Sequence, residues 1–375
     1  MSALEFRPSK PLTMGIELEL QVINRRGCDL TRGTSELVRL LKQGGKPGDA
    51  RHEITESMLE VSTGVHDRHR AAEDELLAVR DAVVQAADRL NLLVCGGGAH
   101  PFQHWPERYV TKKPRYQHLQ EVYGYLAKHV TIFGQHVHIG CADGDTALRL
   151  LHCLSRYIPH FLALAASSPY YQGVDTAFQS ARLNAMAPYP TSGFAPYIVT
   201  WAAFEDYYAN LKGYGVIESM KDLYWDIRPK PEFGTVEVRV FDTPLTIERA
   251  AALAAYVQAL CRRLLIDDLV IAPQESYLVY PYNRFQACRF GLDGDFIDPR
   301  THEHRTVRED IRQTLALLAD HARDLESTGP LGDIERWARD GVSDARWLRE
   351  QYAASRSFED LVWNQARRWS GRERQ

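Results

Sequence analysis

Cysteine is sparse in this chain: six thiols in 375 residues, scattered at 28, 95, 141, 153, 261 and 288. None makes a C-x-x-C pair, which excludes a zinc knuckle and a disulfide framework and fits reduced thiols in a cytoplasmic protein. Long apolar runs are missing, and the stretch at 161–166 is far too short to span a bilayer. Residues 1–12 are charged, carry Pro8 and Pro11, and lack the apolar centre of a signal peptide. There is no basic block, and the net charge is −4, so nucleic acid and anionic membrane are poor partners. A G-x-x-x-x-G-K-[ST] phosphate loop is absent, and Gly96-Gly97-Gly98 reads as a glycine turn rather than a Rossmann fingerprint. Without repeats or low-complexity linkers, a single domain over 1–375 is expected, its portion from about 305 onward helical and charged.

What is present is an ordinary globular balance, 45% hydrophobic and 25% charged, in a chain long enough to bury a large core. Helices are expected at 36–42, 69–90, 116–129, 145–166 (interrupted by Pro159), 201–212 and, capped by Thr246, to about 265. Strand-like runs lie at 16–22, 52–63, 92–95, 131–141, 223–228 and 235–241, with Pro229-Lys230-Pro231 read as the turn between the last two. Residues 167–200 have no clear period and read as a binding loop or lid.

Three of these strands share one design. In Gly15-Ile16-Glu17-Leu18-Glu19-Leu20-Gln21-Val22 the two-residue period puts Ile16, Leu18, Leu20 and Val22 on one face and Glu17 and Glu19 on the other. In 131–140, Val137 and Ile139 oppose His136 and His138; in 235–241, Val236, Val238 and Val240 oppose Glu237 and Arg239. Singly, each has an ordinary reading: a wet strand face, a surface histidine pair, a same-face salt bridge. Together they point to a shared metal or phosphate site on the open, concave face of a largely antiparallel sheet, with helices on its apolar side. Adjacent carboxylates that repel need a cation, a shared proton or water. Mg²⁺ or Mn²⁺ prefers carboxylate oxygen and bridges to phosphates, while arginines clamp phosphate oxygens.

Several ordered motifs resemble one family. They are Gly15-Ile16-Glu17-Leu18-Glu19, His52-Glu53-Ile54-Thr55-Glu56-Ser57-Met58-Leu59-Glu60, Gly96-Gly97-Gly98-Ala99-His100-Pro101-Phe102, Phe133-Gly134-Gln135-His136-Val137-His138 and Trp225-Asp226-Ile227-Arg228-Pro229. Phe233-Gly234-Thr235-Val236-Glu237-Val238-Arg239 and Asn283-Arg284-Phe285-Gln286-Ala287 complete the set. They are similar to the carboxylate-amine ligases of the glutamate–cysteine ligase type 2 family. The resemblance implies an α+β, glutamine-synthetase-like catalytic fold, ATP and Mg²⁺, amino-acid substrates and a homodimer. It also implies metal ligands at Glu17, Glu19, Glu53, Glu60, His136 and Glu237. Arg239 takes the position that faces the transferred phosphate, with Arg228 and Arg284 as further phosphate or substrate-carboxylate candidates. Two features depart from a simple transfer. Glu53 and Glu60 are an odd number apart, so a bulge or turn must intervene or Glu56 must replace one of them. The family's glycine motif more usually continues with Thr where Ala99 stands.

The implied reaction is ATP-dependent amide formation through an acyl phosphate, with γ-glutamylcysteine as the product the family name suggests. Gly15 is read as leaving room for a nucleotide or a neighbouring strand. A zinc hydrolase of amides built on His136 and His138 lacks a zinc-like ligand set. A glycosidase explains neither the histidines nor the arginines. A non-catalytic nucleotide-binding relative would not need the intact charged faces.

Overall fold

The computed structural model describes residues 4–45, 48–267 and 274–373. Its centre is a seven-stranded antiparallel sheet. The strands are β1 (Met14–Asn24), β2 (Asp49–His52), β3 (Met58–Ser62), β4 (Leu92–Cys95), β5 (Gly134–Gly140), β6 (Ile227–Lys230) and β7 (Thr235–Asp242). Their order is β6-β7-β5-β1-β3-β2, with β4 alongside the far end of β1. The register places Glu17 opposite His136, Glu19 opposite Glu60, Glu237 opposite His138 and Arg228 opposite Glu237. Directly opposed residues share a face, so the charged positions of separate strands converge.

The other face is apolar. Ile16, Leu18, Val137, Ile139, Val236 and Val238 are at most 1% exposed. Against it lie α2 (His69–Arg89), α5 (Gly144–Leu154), α6 (Ile158–Ala165) and α8 (Ile247–Ile266), with α1 (Thr34–Gln43) packed on α2 and α7 (Trp201–Gly213) on α5. The Thr246 hydroxyl accepts the Arg249 N–H and caps α8. Among the described residues no helix is long and apolar enough to cross a membrane.

Several elements differ from the pattern reading for identifiable reasons. The 52–63 run is not one strand: β2 ends at His52, β3 begins at Met58, and Glu53 lies in the connection. The expected helix at 116–129 is two, α3 (Pro114–Tyr123) and α4 (Leu126–His129), because Gly124 takes φ 56° at the end of α3. Pro159 lies in the first turn of α6, where its missing N–H costs nothing, and a 3₁₀ turn at Ser155–Tyr157 separates α5 from α6. Pro229 and Lys230 are in β6, and the turn is made by the residues after them, up to Gly234 at φ 65°.

Phe161 has no exposed surface and packs against Phe241 with tilted rings, 5.0 Å between centroids, where α6 meets β7. Phe161→Ala is expected to cost about 3–5 kcal/mol of unfolding free energy. Urea denaturation followed by circular dichroism measures it, and a loss below about 1 kcal/mol would mean that this contact is not part of the close-packed core.

Candidate active site

The charged face of the sheet is the floor of a cavity of about 610 Å³, walled by α3, by residues 182–193 and by the turn after His52. At one end Glu237 accepts from Arg228 Nε at 2.6 Å and from Arg239 Nη1 at 2.5 Å. Arg228 also donates to the carbonyls of Met220 and Leu223, which fixes its fork. Beside them Glu17 lies 3.1 Å from His136 Nδ1 and 3.5 Å from His138 Nε2. Ligand atoms of Glu17, His138 and Glu237 fall within 4.8 Å of one another. At the other end are Glu19, Glu53 and Glu60. Glu19 accepts the Gly134 N–H at 2.6 Å and stands 3.8 Å from His136 Nε2.

The two ends have opposite electrostatics. Burial would raise the Glu17 carboxyl, but the hydrogen bond with His136 and the nearness of His138 outweigh it and hold the group below the carboxylate range. Burial is likewise outweighed at Glu237, where Arg228 and Arg239 hold the carboxyl well below its ordinary value. At the far end the cations are too few. Burial, with the charge of Glu19, pushes Glu53 up to about 7. Burial and the charges of Glu53, Glu17 and Glu19 drive Glu60 well above the ordinary value. Burial raises Glu19 against the pull of Arg182 and Arg239. Burial and the Arg239 charge lower His136 to about 4, leaving the neutral imidazole that a metal ligand requires.

A divalent cation fits this arrangement. Nε2 of His136 and of His138 is buried without a hydrogen-bond partner, although Thr235 Oγ1 at 2.9 Å orients the His138 ring through Nδ1. A carboxylate-rich set with occasional imidazole is a hard-cation set. Glu17, Glu19, Glu53, Glu60, His136 and Glu237 all line the one cavity, together with Arg228, Arg239 and Arg284. The odd spacing of Glu53 and Glu60 is absorbed by the connection between β2 and β3. Glu56 is turned away, toward Ser35 Oγ at 3.4 Å, and is not in the cavity wall. The Arg284 guanidinium is held on Asp226, with Nε at 2.8 Å from Oδ2.

The neighbouring strands do not require a glycine at Gly15: a methyl would sit 3.8 Å from the Gly64 carbonyl oxygen and 3.9 Å from His138 Cβ, ordinary contact. Gly96-Gly97-Gly98 is buried outside the cavity wall. A Cβ on Gly96 would meet the Pro244 carbonyl at 2.1 Å and one on Gly98 the Asp242 carboxylate, so packing explains the glycines. Ala99 is buried and also outside the cavity wall.

Two residues escaped the pattern reading. Arg182 is buried, with Nη2 3.9 Å from Glu19 Oε2 and Nε unpartnered. It reaches Glu19 because Gly134 has no side chain; a Cβ there would lie 2.0 Å from Nη2. Its signal was that it is the one basic residue between 167 and 200. Asp226 is buried in the Trp225-Asp226-Ile227-Arg228 run, and nothing in a two-residue period marks it.

The sequence pattern of glutamate-cysteine ligase family 2 matches residues 13–368. The chain belongs to this family. It is an enzyme, an ATP-dependent ligase of the glutamate–cysteine type. Provisionally named glutamate–cysteine ligase 2 proteins of Paraburkholderia phytofirmans and Paraburkholderia xenovorans are each 53% identical over 369 residues, 98% of this chain and 100% of the relative. The glutamate–cysteine ligase of Francisella tularensis, solved in complex with AMP, superposes with TM-score 0.74 at 15% identity, over 99% of this chain and 91% of that one. A bifunctional glutathione synthetase of Pasteurella multocida gives TM-score 0.68 at 15% identity, over 96% of this chain and 52% of that one. At such identity these two establish a common fold. The α+β fold with a largely antiparallel sheet expected from the motifs is the fold observed, and these two enzymes share it.

The crowding of carboxylates makes a stability prediction. Glu53 has its folded value, about 7, above the ordinary 4.5, so between those pH values the folded state binds more protons than the unfolded one. Metal-free protein is therefore expected to lose stability as pH rises from 4.5 to 7, by up to about 1.4 kcal/mol per pH unit. Mg²⁺ is expected to restore it, and Glu60→Gln to raise metal-free stability while blunting the Mg²⁺ gain. Thermal melts with chelator or Mg²⁺ at fixed ionic strength check this; a Mg²⁺ gain undiminished in Glu60→Gln would remove Glu60 from the cation site.

Proposed function

We propose that this ligase joins a carboxylic acid to an amine at the expense of ATP, with Mg²⁺ or Mn²⁺ in the carboxylate cluster. Glutamate and cysteine are the substrates indicated by the family. The observation that carries the reading is the cavity floor itself: Glu17, Glu19, Glu53, Glu60, Glu237 and His136 face one space beside Arg228 and Arg239, with His138 Nε2 3.5 Å from Glu17.

When bound there, the cations supply charge neutralisation for the phosphates and for the reacting carboxylate. Glu17, Glu237 and the two histidines would hold a cation at the arginine end; Glu19, Glu53 and Glu60 would hold one at the other. Arg239 stabilises charge on the transferring phosphoryl group. Arg228 keeps Glu237 in place through its bonds to Glu237 and two carbonyls. The acid's carboxylate attacks the γ-phosphorus, ADP leaves, and the acyl phosphate is attacked at carbon by the amine, with inorganic phosphate departing. Burial of Arg228, Glu237 and His136 keeps water from these groups, so their fields act at close to full strength. None of the six cysteines lines the cavity, in keeping with a mechanism that uses no protein thiol.

Nucleotide products, measured with and without Mg²⁺ across a panel of acids and amines, test the reaction. ADP and phosphate release that depends on both an acid and an amine is expected; AMP and pyrophosphate, or amide hydrolysis without ATP, would overturn it. Glu17→Gln is expected to lower turnover about 10²–10³-fold with the fold intact, and normal turnover in that variant would exclude Glu17 from the site.

A further inference from the structure

Three parts of the cavity lining meet on one buried residue. Asp226 stands just before β6, and its carboxylate accepts from Tyr280 Oη at 2.7 Å and from Arg284 Nε and Nη2 at 2.8 and 3.3 Å. Both donors belong to α9 (Tyr280–Phe290). The Asp226 N–H donates to the Gly193 carbonyl at 2.7 Å, on the wall formed by 182–193. Its carbonyl accepts the Arg239 N–H at 3.0 Å, on β7.

The last bond has the largest consequence, because the sheet is broken there. β7 pairs with β5 at Val238↔Val137 and resumes at Phe241↔Gln135, so Arg239 and Val240 together face His136. A bulged residue is not held by the neighbouring ladder, and its side chain is re-aimed. The Arg239 N–H is turned to the opposite side, onto Asp226. The aim of the Arg239 guanidinium therefore depends on where Asp226 is held, and α9 holds it.

Arg284 lines the cavity, yet its guanidinium closes as a fork on a carboxylate that is only 4% exposed. Such a charge-assisted, two-bond contact is among the strongest available to a side chain and commits the Nε and Nη2 edge of the guanidinium to Asp226. Removing the arginine would leave Asp226 as a buried charge with one hydroxyl partner, and the chain around it would shift to relieve that.

We infer that Asp226 and Arg284 are a positioning pair for the phosphoryl-transfer step: Arg284 with Tyr280 fixes Asp226, and Asp226 fixes Arg239 and Gly193 through its backbone. Neither acts on the substrate directly. The inference rests on Arg239 facing the transferred phosphate, as proposed above.

In Arg284→Ala, kcat for acid- and amine-dependent ADP release is expected to fall about 100-fold, the loss typical of a reacting group displaced by about an ångström, with KM for ATP unchanged. Guanidinium ion at millimolar concentration should restore kcat, and Arg284→Lys, which keeps the charge but loses the fork, should be intermediate. Hydrogen exchange supplies a readout independent of turnover. The amides of Asp226 and Arg239 should exchange faster in Arg284→Ala and in Tyr280→Phe, while those of β1 do not. Tyr280→Phe removes one hydrogen bond and no charge, so it keeps the test decisive if Arg284→Ala does not fold. A raised KM for ATP with kcat retained would make Arg284 a phosphate ligand and overturn the pairing, as would unchanged exchange at both amides. If the unmodified protein releases no ADP with any acid and amine, the ligase reading fails, and the exchange result alone decides the pairing.

Discussion

Carboxylates forced together on a buried surface repel one another, and the whole of this molecule can be organised by how that repulsion is met. Glu17, Glu19, Glu60 and Glu237 share one face of one sheet, with Glu53 brought into the same cavity by the β2–β3 connection, opposite an unbroken aliphatic face that cannot be turned outward without dismantling the core. Register leaves no escape, since a one-residue slip would bury the charges in that core. Protein groups answer part of the repulsion. Arg228 and Arg239 bracket Glu237, the two histidines lie against Glu17, and the Gly134 N–H with Arg182 serves Glu19. Glu53 and Glu60 are left with the weakest compensation, and it is there that the carboxyl groups rise furthest. An uncompensated surplus of negative charge, rather than any single ligand triad, is the physical argument for cations.

The division of faces was legible because a period of two leaves little ambiguity. Ile16-Glu17-Leu18-Glu19 and His136-Val137-His138 state which side is buried and which is charged, and the register then aligns them. What was not legible depended on contacts distant in the chain. Arg182 comes from a segment without periodicity and reaches Glu19 through the gap at Gly134. The place of the chain reversal between β2 and β3, which lets Glu53 and Glu60 share the cavity, was not legible, although their odd spacing called for a bulge or turn between them. Arg284 looks like a phosphate ligand when only its motif is read; its commitment to Asp226 is a tertiary fact, linking positions 58 apart. Helix 116–129 failed at one residue, Gly124, whose positive φ no propensity average reveals.

The C-terminal helices reach the site without touching it. Arg156, beside α6, donates to both oxygens of Asp310 and to Asp298, and His160 lies 2.6 Å from Asp310. Arg305 adds a second bond to Asp298. This buried network ties α10 (Val307–Leu317) and the hairpin of Asp295–Ile297 with His304–Thr306 to the core. Asn283 on α9 exchanges two hydrogen bonds with Ile297 of that hairpin. Buried ion networks of this kind contribute little net stability but set relative placement. Here what is placed is α9, with Tyr280 and Arg284.

The mouth of the cavity has the opposite sign from its floor. Lys42, Arg51, Lys113 and Lys221 are exposed residues of its wall, with Glu232 the exposed acid among them. On the proposed function, a bare divalent ion diffusing inward meets a repulsive field before it can sense the carboxylates beneath. The same ion carried on a polyphosphate is part of a net anion and is drawn in by that field. On that reading the entrance favours metal that arrives chelated by nucleotide over the free ion, which enters more slowly.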